Sequence, residues 1–115
     1  MTLDDQARLK TALWVQAQLR LCDLAAIPFI VARRGDADAG AVLIKLDRGG
    51  GRFSVLARGY RADGRRGWLS ATGPAPVSEA DSDAYLLRQV AIDPDVWILS
   101  VEDSGGRFCP DGETV

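Results

Sequence analysis

Hydrophobic and polar residues repeat along the chain with two different periods, and the changes of period divide it into elements. Residues 3–26 contain neither Gly nor Pro and are rich in Ala, Leu, Gln and Arg, which predicts a helix that ends before Pro28. Two apolar stripes run along this helix. The first stripe is Leu13, Ala17, Leu21 and Leu24, with Trp14 on its edge, and the second is Ala12, Val15, Leu19, Cys22 and Ala26.

A domain of this size offers one sheet for the first helix to cover, so one stripe should pack on the sheet. The other stripe has no obvious place inside the domain. We expect it to contact a partner chain, most simply a second copy, and we place that contact on the stripe that holds Val15 and Leu19. A single wide buried face that uses both stripes is the alternative.

Short runs rich in β-branched and aromatic residues predict four strands after the helix. These runs are residues 27–34, 41–47, 52–60 and 68–72. The turns between them carry the glycine signals of hairpins: "GDADAG", the three glycines at 49–51 and the Asp-Gly pair at 63–64. The strands therefore form a meander of antiparallel hairpins.

The C-terminal part of the chain predicts a second helix and a last strand. Ser78 followed by Asp81 is a variant of the capping box and marks the helix N-terminus. The expected buried stripe of this helix is Ala80, Ala84, Leu87 and Ala91, helped by Leu86 and Val90. Residues 95–103 then form an apolar strand in which Trp97 should be buried.

The element order α-β-β-β-β-α-β predicts one α+β domain over residues 1–115. Its sheet should be mainly antiparallel, with about five strands and with both helices on one face. We expect the last strand to pair inside the sheet beside an early strand. From about residue 104, the Gly- and Pro-containing segment "SGGRFCPDGETV" should form a frayed tail.

The composition excludes several kinds of site but does not identify a function. The chain has 115 residues, a net charge of −2, two cysteines and no histidine. The absence of His removes the commonest general base and metal ligand, so we expect no catalytic triad, no metal site and no cofactor. The acidic N-terminus is unlike a signal peptide, and no apolar run approaches the roughly 20 residues that span a bilayer. We therefore expect a cytoplasmic protein that does not bind membranes and has no disulfide.

The charge is distributed unevenly along the chain. Residues 33–66 hold nine basic and four acidic side chains, a net +5, whereas the rest of the chain carries −7. Eight of the nine basic residues are Arg, which binds carboxylates and phosphates through a planar fork. The residues that we expect to contact a ligand or partner are Arg33, Arg34, Asp36, Asp38, Arg58, Arg65, Arg66 and Trp68.

Each of these candidates also has a simpler interpretation. Asp36 and Asp38 should form a turn, bonded to backbone amides or to Arg33 and Arg34, since the segment lacks the distal Glu of a calcium loop. Trp68 follows two arginines and could stack a base, although a core position is the simpler interpretation.

Two functions are open. The first is a small non-enzymatic interaction module that forms a homodimer through the first helix or binds another protein. The alternative is a module that binds nucleic acid or another polyanion through the arginine-rich segment, against which the sequence pI of about 5.0 argues. An enzyme that uses an Asp as its base is a further alternative.

Several segments together resemble a known family. They are "RRGDADAGAVLIK", "GPAP" and "DAYLLRQVAIDPDVWILSVED", and the resemblance extends over nearly the whole chain. The family is an alphaproteobacterial one of short proteins, described as domain of unknown function 1491. The resemblance implies a bacterial cytosolic single domain with no assigned activity, and it carries over no catalytic residue.

Overall fold

The computed structural model describes residues 9–113 and 115, which form two helices and one five-stranded sheet. In chain order the elements are α1 (Thr11–Leu24), β1 (Phe29–Arg33), β2 (Val42–Asp47), β3 (Phe53–Tyr60), β4 (Arg66–Ser70), α2 (Glu79–Ile92) and β5 (Trp97–Glu102), followed by a short 3-10 turn (Pro110–Gly112). The predicted α+β class and element order are confirmed. The predicted start of the first helix, at residues 3–8, lies outside the described residues.

The strands lie in the order β1-β5-β2-β3-β4. Every neighbouring pair is antiparallel except β2 and β5, which are parallel because α2 carries the chain back across the sheet before β5 begins. The last strand therefore pairs with two early strands, β1 and β2, as its apolar sequence predicted.

The two helices lie on opposite faces of the sheet, so the prediction that both share one face was wrong. Alternate residues of a strand point to opposite faces, and both faces of the inner strands are apolar. Ile44 lies in the core cluster that includes Val15 of α1, whereas its neighbour Leu43 lies in the cluster that includes Leu86 of α2. A sheet with two apolar faces needs a helix on each side.

α1 packs on the sheet through Val15, Gln18 and Cys22. Leu13, Leu21 and Leu24 lie on the other side of the helix and are exposed. The alternative of a single wide buried face was therefore wrong, because one stripe packs inward and the other faces out. Of the two residues predicted to contact a partner, Val15 packs on the sheet, so that choice was wrong. Leu19 lies at the edge of the same stripe and is 43% exposed.

α2 begins as predicted but is rotated about its axis relative to expectation. The Ser78 side chain accepts a hydrogen bond from the Asp81 amide, which confirms the N-cap. The buried positions are Ser82 and Leu86, whereas the expected buried stripe is exposed: Ala80, Ala84, Leu87 and Ala91.

An ion pair explains the rotation of α2. Lys45 of β2 lies under the helix, and its ammonium group is 2.9 Å from Glu79 and 2.8 Å from Asp83. These two carboxylates are placed toward the sheet because they neutralise a lysine that is itself largely buried. Ser82 lies between them without solvent exposure, and its small side chain lets the helix approach the sheet closely.

The segment after β5 is folded onto the domain, so the expectation of a frayed tail from about residue 104 was wrong. The Asp103 carboxylate accepts hydrogen bonds from the amides of Arg107 and Phe108, at 2.9 and 2.7 Å. This turn directs Phe108 into the α1-side core, where it is buried together with Pro110. The apolar residues Phe108, Pro110 and Val115 hold the segment on the domain together with these hydrogen bonds.

Within residues 9–113 and 115, no helix is both long enough and apolar enough to cross a membrane.

Candidate functional site

All the predicted contact residues lie at one end of the sheet, here called the lower end. At this end β1 and β3 finish, at Arg33 and Tyr60, and β2, β4 and β5 begin, at Val42, Arg66 and Trp97. The predicted residues form two groups there. Arg33, Arg34, Asp36 and Asp38 follow β1, whereas Arg58, Arg65, Arg66 and Trp68 belong to the β3–β4 hairpin.

The two arginines after β1 contact the start of β5 and do not pair with the neighbouring aspartates. The Arg33 guanidinium donates to the carbonyl of Val96 at 2.9 Å. The Arg34 guanidinium lies 5.1 Å from the centre of the Trp97 ring, within cation–π range. Of the two kinds of partner expected for the aspartates, backbone amides or Arg33 and Arg34, the arginines are not the partners.

The aspartates of the same turn have separate roles. The Asp36 carboxylate accepts a hydrogen bond from the Ala39 amide at 2.9 Å, which confirms that Asp36 forms the turn. Asp38 lies 3.6 Å from the Lys10 ammonium, and both side chains are well exposed. The backbone of the turn also binds the core, since the Asp36 carbonyl accepts from the Trp97 indole at 2.7 Å.

Glycines let this turn lie directly against the start of β5. A Cβ on Gly35 would lie 2.2 Å from the Asp95 carbonyl oxygen, and one on Gly40 would lie 2.6 Å from the same atom. Neither position leaves room for a side chain, so the turn is shaped by close packing. The turn after β1 is thus a structural cover for Trp97.

The hairpin group is centred on Trp68, which is 5% exposed and belongs to the α1-side core, so the simpler interpretation of Trp68 as a core residue is confirmed. Trp68 of β4 stacks on Trp14 of α1 with ring centroids 5.6 Å apart. On the neighbouring strand its cross-strand partner is Arg58, whose guanidinium lies 4.8 Å from the Trp68 ring centre. One carboxylate joins the three: Asp111 accepts from the indoles of Trp14 and Trp68, at 2.7 and 3.0 Å, and from Arg58. We call these four residues the tryptophan clasp.

A second carboxylate of the tail binds beside the clasp. Glu113 accepts from the backbone amide of Trp68 at 2.9 Å and forms an ion pair with Arg61. The tail therefore covers part of the outer edge of β4, where an unpaired strand would otherwise present its amide groups.

Sequence reasoning found Arg58 and Trp68 but missed their partners, which are Trp14, Arg61, Asp111 and Glu113. The signal that could have found them is charge. The C-terminal segment carries two acids, Asp111 and Glu113, whereas residues 58–66 carry four arginines and one acid.

An open groove of about 810 Å³ borders the clasp. Its lining includes Trp14, Trp68, Arg58 and Arg66 together with the acids Asp38 and Asp111. Among the residues that the structure describes, Arg65 and Arg66 form no ion pair. The lower end of the sheet thus offers a groove with aromatic and cationic walls.

The side chains at the lower end interact through hydrogen bonds, ion pairs and ring contacts. In the described part of the chain, no three His, Cys, Asp or Glu side chains are grouped so that they could hold a metal ion. Away from the lower end, burial, and then the charge of Asp103 just after β5, raise the pKa of the Cys22 thiol, which disfavours the nucleophilic thiolate. What the clasp does is hold a carboxylate with three donors.

Comparison with known proteins identifies the family. A family model described as "Protein of unknown function (DUF1491)" matches residues 9–109. The chain belongs to this family. Trp14, Arg58 and Trp68 lie within the matched residues, whereas Asp111 and Glu113 lie beyond them. The resemblance predicted from the sequence is confirmed, and no curated protein matches the chain.

Solved structures agree with the family assignment. The crystal structure of a DUF1491 family protein from Caulobacter crescentus has a TM-score of 0.74 and 42% identity, over 87% of this chain and 92% of that one. The NMR structure of a DUF1491 family protein from the same organism has a TM-score of 0.71 and 42% identity, over 87% and 90%. A protein from A. tumefaciens, at 23% identity and a TM-score of 0.69 over 83% and 86%, shares the fold.

Proposed function

We propose that this protein is a small bacterial cytoplasmic interaction module without enzymatic activity, which pairs with a second copy of itself through the outer face of α1. One observation carries the proposal: Leu13, Leu21 and Leu24 lie on that face with 54%, 58% and 72% of their surface exposed. Leucines exposed in successive turns of a helix cost free energy in water and gain it when another apolar surface covers them.

The spacing of these leucines suits contact with another helix. Leu13 and Leu21 are eight positions apart, two turns of helix, with Ala17 between them. The small side chain of Ala17 would let a second helix approach at the centre of the contact. Leu24, three positions after Leu21, extends the same surface toward the helix C-terminus.

Charge favours a second copy as the occupant. A two-fold contact places the same surface on both sides, so that surface must be complementary to itself. Exposed residues of both signs flank the leucines, with Arg20 and Asp23 on α1 and Lys10 at its N-cap. A surface whose charges all had one sign would repel its copy. The residues around these leucines carry charges of both signs, so this repulsion is absent.

Binding of a polyanion is the second candidate, and it rests on Arg65 and Arg66. Both are exposed on the β3–β4 hairpin, and Arg66 lines the groove next to Trp68. An aromatic ring beside arginines is the usual basis of sequence-tolerant contact with single strands. This candidate is weaker because two neighbouring arginines, Arg58 and Arg61, are already neutralised by the tail.

Sedimentation equilibrium tests the homodimer. The wild type should be a dimer at high micromolar concentration, and Leu13→Asp with Leu21→Asp should make it a monomer without loss of secondary structure. Leu87→Asp is the matched control, since Leu87 is 75% exposed on α2, and this variant should still dimerise. A wild type that is monomeric at high micromolar concentration would show that the proposal is wrong.

Binding of an oligonucleotide separates the two candidates. A labelled single-stranded oligonucleotide should not bind the wild type measurably at physiological salt. Saturable binding that disappears when Arg65 and Arg66 are both changed to Ala would favour the polyanion function instead.

A further inference from the structure

The tryptophan clasp has the geometry of a recognition site that is already filled. Three donors from three different elements converge on one carboxylate: Trp14 from α1, Trp68 from β4 and Arg58 from β3. The acceptor, Asp111, comes from the tail. The body of the domain therefore supplies every donor, and the tail supplies only the acid.

The neighbouring contact repeats this division. Glu113 receives the Trp68 backbone amide and the Arg61 guanidinium, both from the β3–β4 hairpin. Two acids in the pattern Asp-x-Glu thus meet two donor sets that are fixed by the sheet. Amide and guanidinium donors aimed at carboxylates bind them more strongly than neutral acceptors.

We propose that the clasp and Arg61 form a docking site for a short acidic segment of a partner protein, and that the chain's own tail occupies this site as an internal competitor. The site is separate from the outer face of α1, because Trp14 is partly buried against Trp68 whereas the leucines point away from the sheet.

The conformation of the tail makes it a replaceable occupant. Asp111 has a φ of 57°, a left-handed conformation that Asp adopts more readily than most residues other than glycine. Gly106 and Gly112, at φ of 68° and 74°, bend the backbone on either side of the bound acid. The ion pairs of both tail acids are partly exposed to solvent, so a free acidic peptide can reach the same donors and compete with the tail.

The groove beside the clasp provides space for more of such a peptide. It is continuous with Trp14 and Trp68, and Arg66 on its wall forms no ion pair within the described residues. A third acid placed next to the Asp-x-Glu pair would find this arginine. The net +5 of residues 33–66 favours an acidic partner over a basic one.

The test uses the full-length protein with the tail acids neutralised, as the double variant Asp111→Asn, Glu113→Gln. The probe is a synthetic acetylated peptide with the tail sequence, Ser-Pro-Asp-Gly-Glu-Thr-Val, in which Ser replaces the cysteine. Indole fluorescence reports binding, because Trp14 and Trp68 belong to the site. The double variant should bind the peptide saturably. The affinity of the wild type should be about tenfold lower, because its own tethered tail competes at a high effective concentration.

Three controls decide what the binding means. A peptide with Asn and Gln in place of its two acids should not bind. Adding Arg58→Ala to the double variant should abolish binding of the acidic peptide. The variant Asp95→Asn, Glu102→Gln loses the same charge away from the clasp and should behave as the wild type does.

The proposal fails if a folded double variant does not bind the peptide, or if wild type and double variant bind it equally. It also fails if the double variant prefers a single-stranded oligonucleotide to the peptide, which would make the site one for nucleic acid.

A second measurement applies if the double variant does not fold. Cys109 is exposed and Cys22 is buried. A fluorine label on the wild type can therefore be attached at Cys109 without labelling Cys22. Excess acidic peptide should displace the tail and shift the label signal. A signal that does not change at millimolar peptide would overturn the proposal.

Discussion

The two helices have the same length of 14 residues but are attached to the sheet in different ways. α1 covers the larger core cluster, which contains Trp97, Ile44 and Leu99, and the tail adds Phe108 to it. α2 covers a smaller cluster around Leu86 and adds the ion pair with Lys45. Apolar burial thus holds one side of the domain, and burial combined with charge holds the other.

The outer faces of the helices differ in a corresponding way. On α1 the three most exposed leucines, Leu13, Leu21 and Leu24, lie on one face. On α2 the two large exposed residues, Leu87 and Ile92, are five positions apart and point in different directions. The first turn of α2 is also acidic, with Glu79 and Asp81. Only α1 therefore presents a continuous apolar surface that a partner helix could cover.

The largest expected effect breaks the α1-side core. Trp97 is 1% exposed, and its indole donates to the turn after β1. Trp97→Ala should lower the free energy of unfolding by about 3–5 kcal/mol, measured by urea denaturation. Leu86→Ala on the α2 side should cost less, about 2 kcal/mol, because fewer large groups surround it. Equal losses for the two variants would contradict the difference between the two cores.

A smaller effect tests the charged attachment of α2. Burial lowers the pKa of Lys45, but its hydrogen bonds to Asp83 and Glu79 and their charges outweigh burial, so the pKa is raised above its ordinary value of 10.5. A raised lysine pKa in the folded state means that the ion pair stabilises the fold fully below pH 10.5. This stabilisation is lost as the pH rises through the pKa of the folded state.

The measurement compares the wild type with Lys45→Met by urea denaturation from about pH 8 to about pH 12. The ion pair should contribute about 1 kcal/mol, since its carboxylates are more than half exposed. The wild type should lose this advantage only in the alkaline part of the range. A constant difference between the two proteins at all pH values would show that the ion pair does not titrate as described.

Local signals in the sequence predicted the elements, because caps and hairpin turns depend on neighbouring residues. Ser78 with Asp81 and the glycines at 49–51 are of this kind. The face of each helix that packs inward depends on distant residues. Nothing near Ala84 or Leu87 indicates that Lys45, far away in the sequence, draws Glu79 and Asp83 toward the sheet.

For the same reason, the sequence predicted the part of the candidate site on the β3–β4 hairpin but not the part that the tail supplies. The arginine excess and Trp68 pointed to the β3–β4 hairpin, and Asp36 had the position of a turn-forming residue. Asp111 acquires its role only when Phe108 and Pro110 fix the tail on the domain. A polar segment with few apolar residues gives little local evidence of that packing.

The central claim is that the outer face of α1 is covered by a second copy while that of α2 is not. Solvent access of individual leucine methyl groups measures this directly, by their relaxation with a soluble paramagnetic probe at low and high protein concentration. We predict that Leu13, Leu21 and Leu24 are relaxed at low concentration and protected at high concentration, whereas Leu87 is relaxed at both. Leucines on α1 that stay accessible at high concentration, or protection at Leu87 instead, would contradict the account.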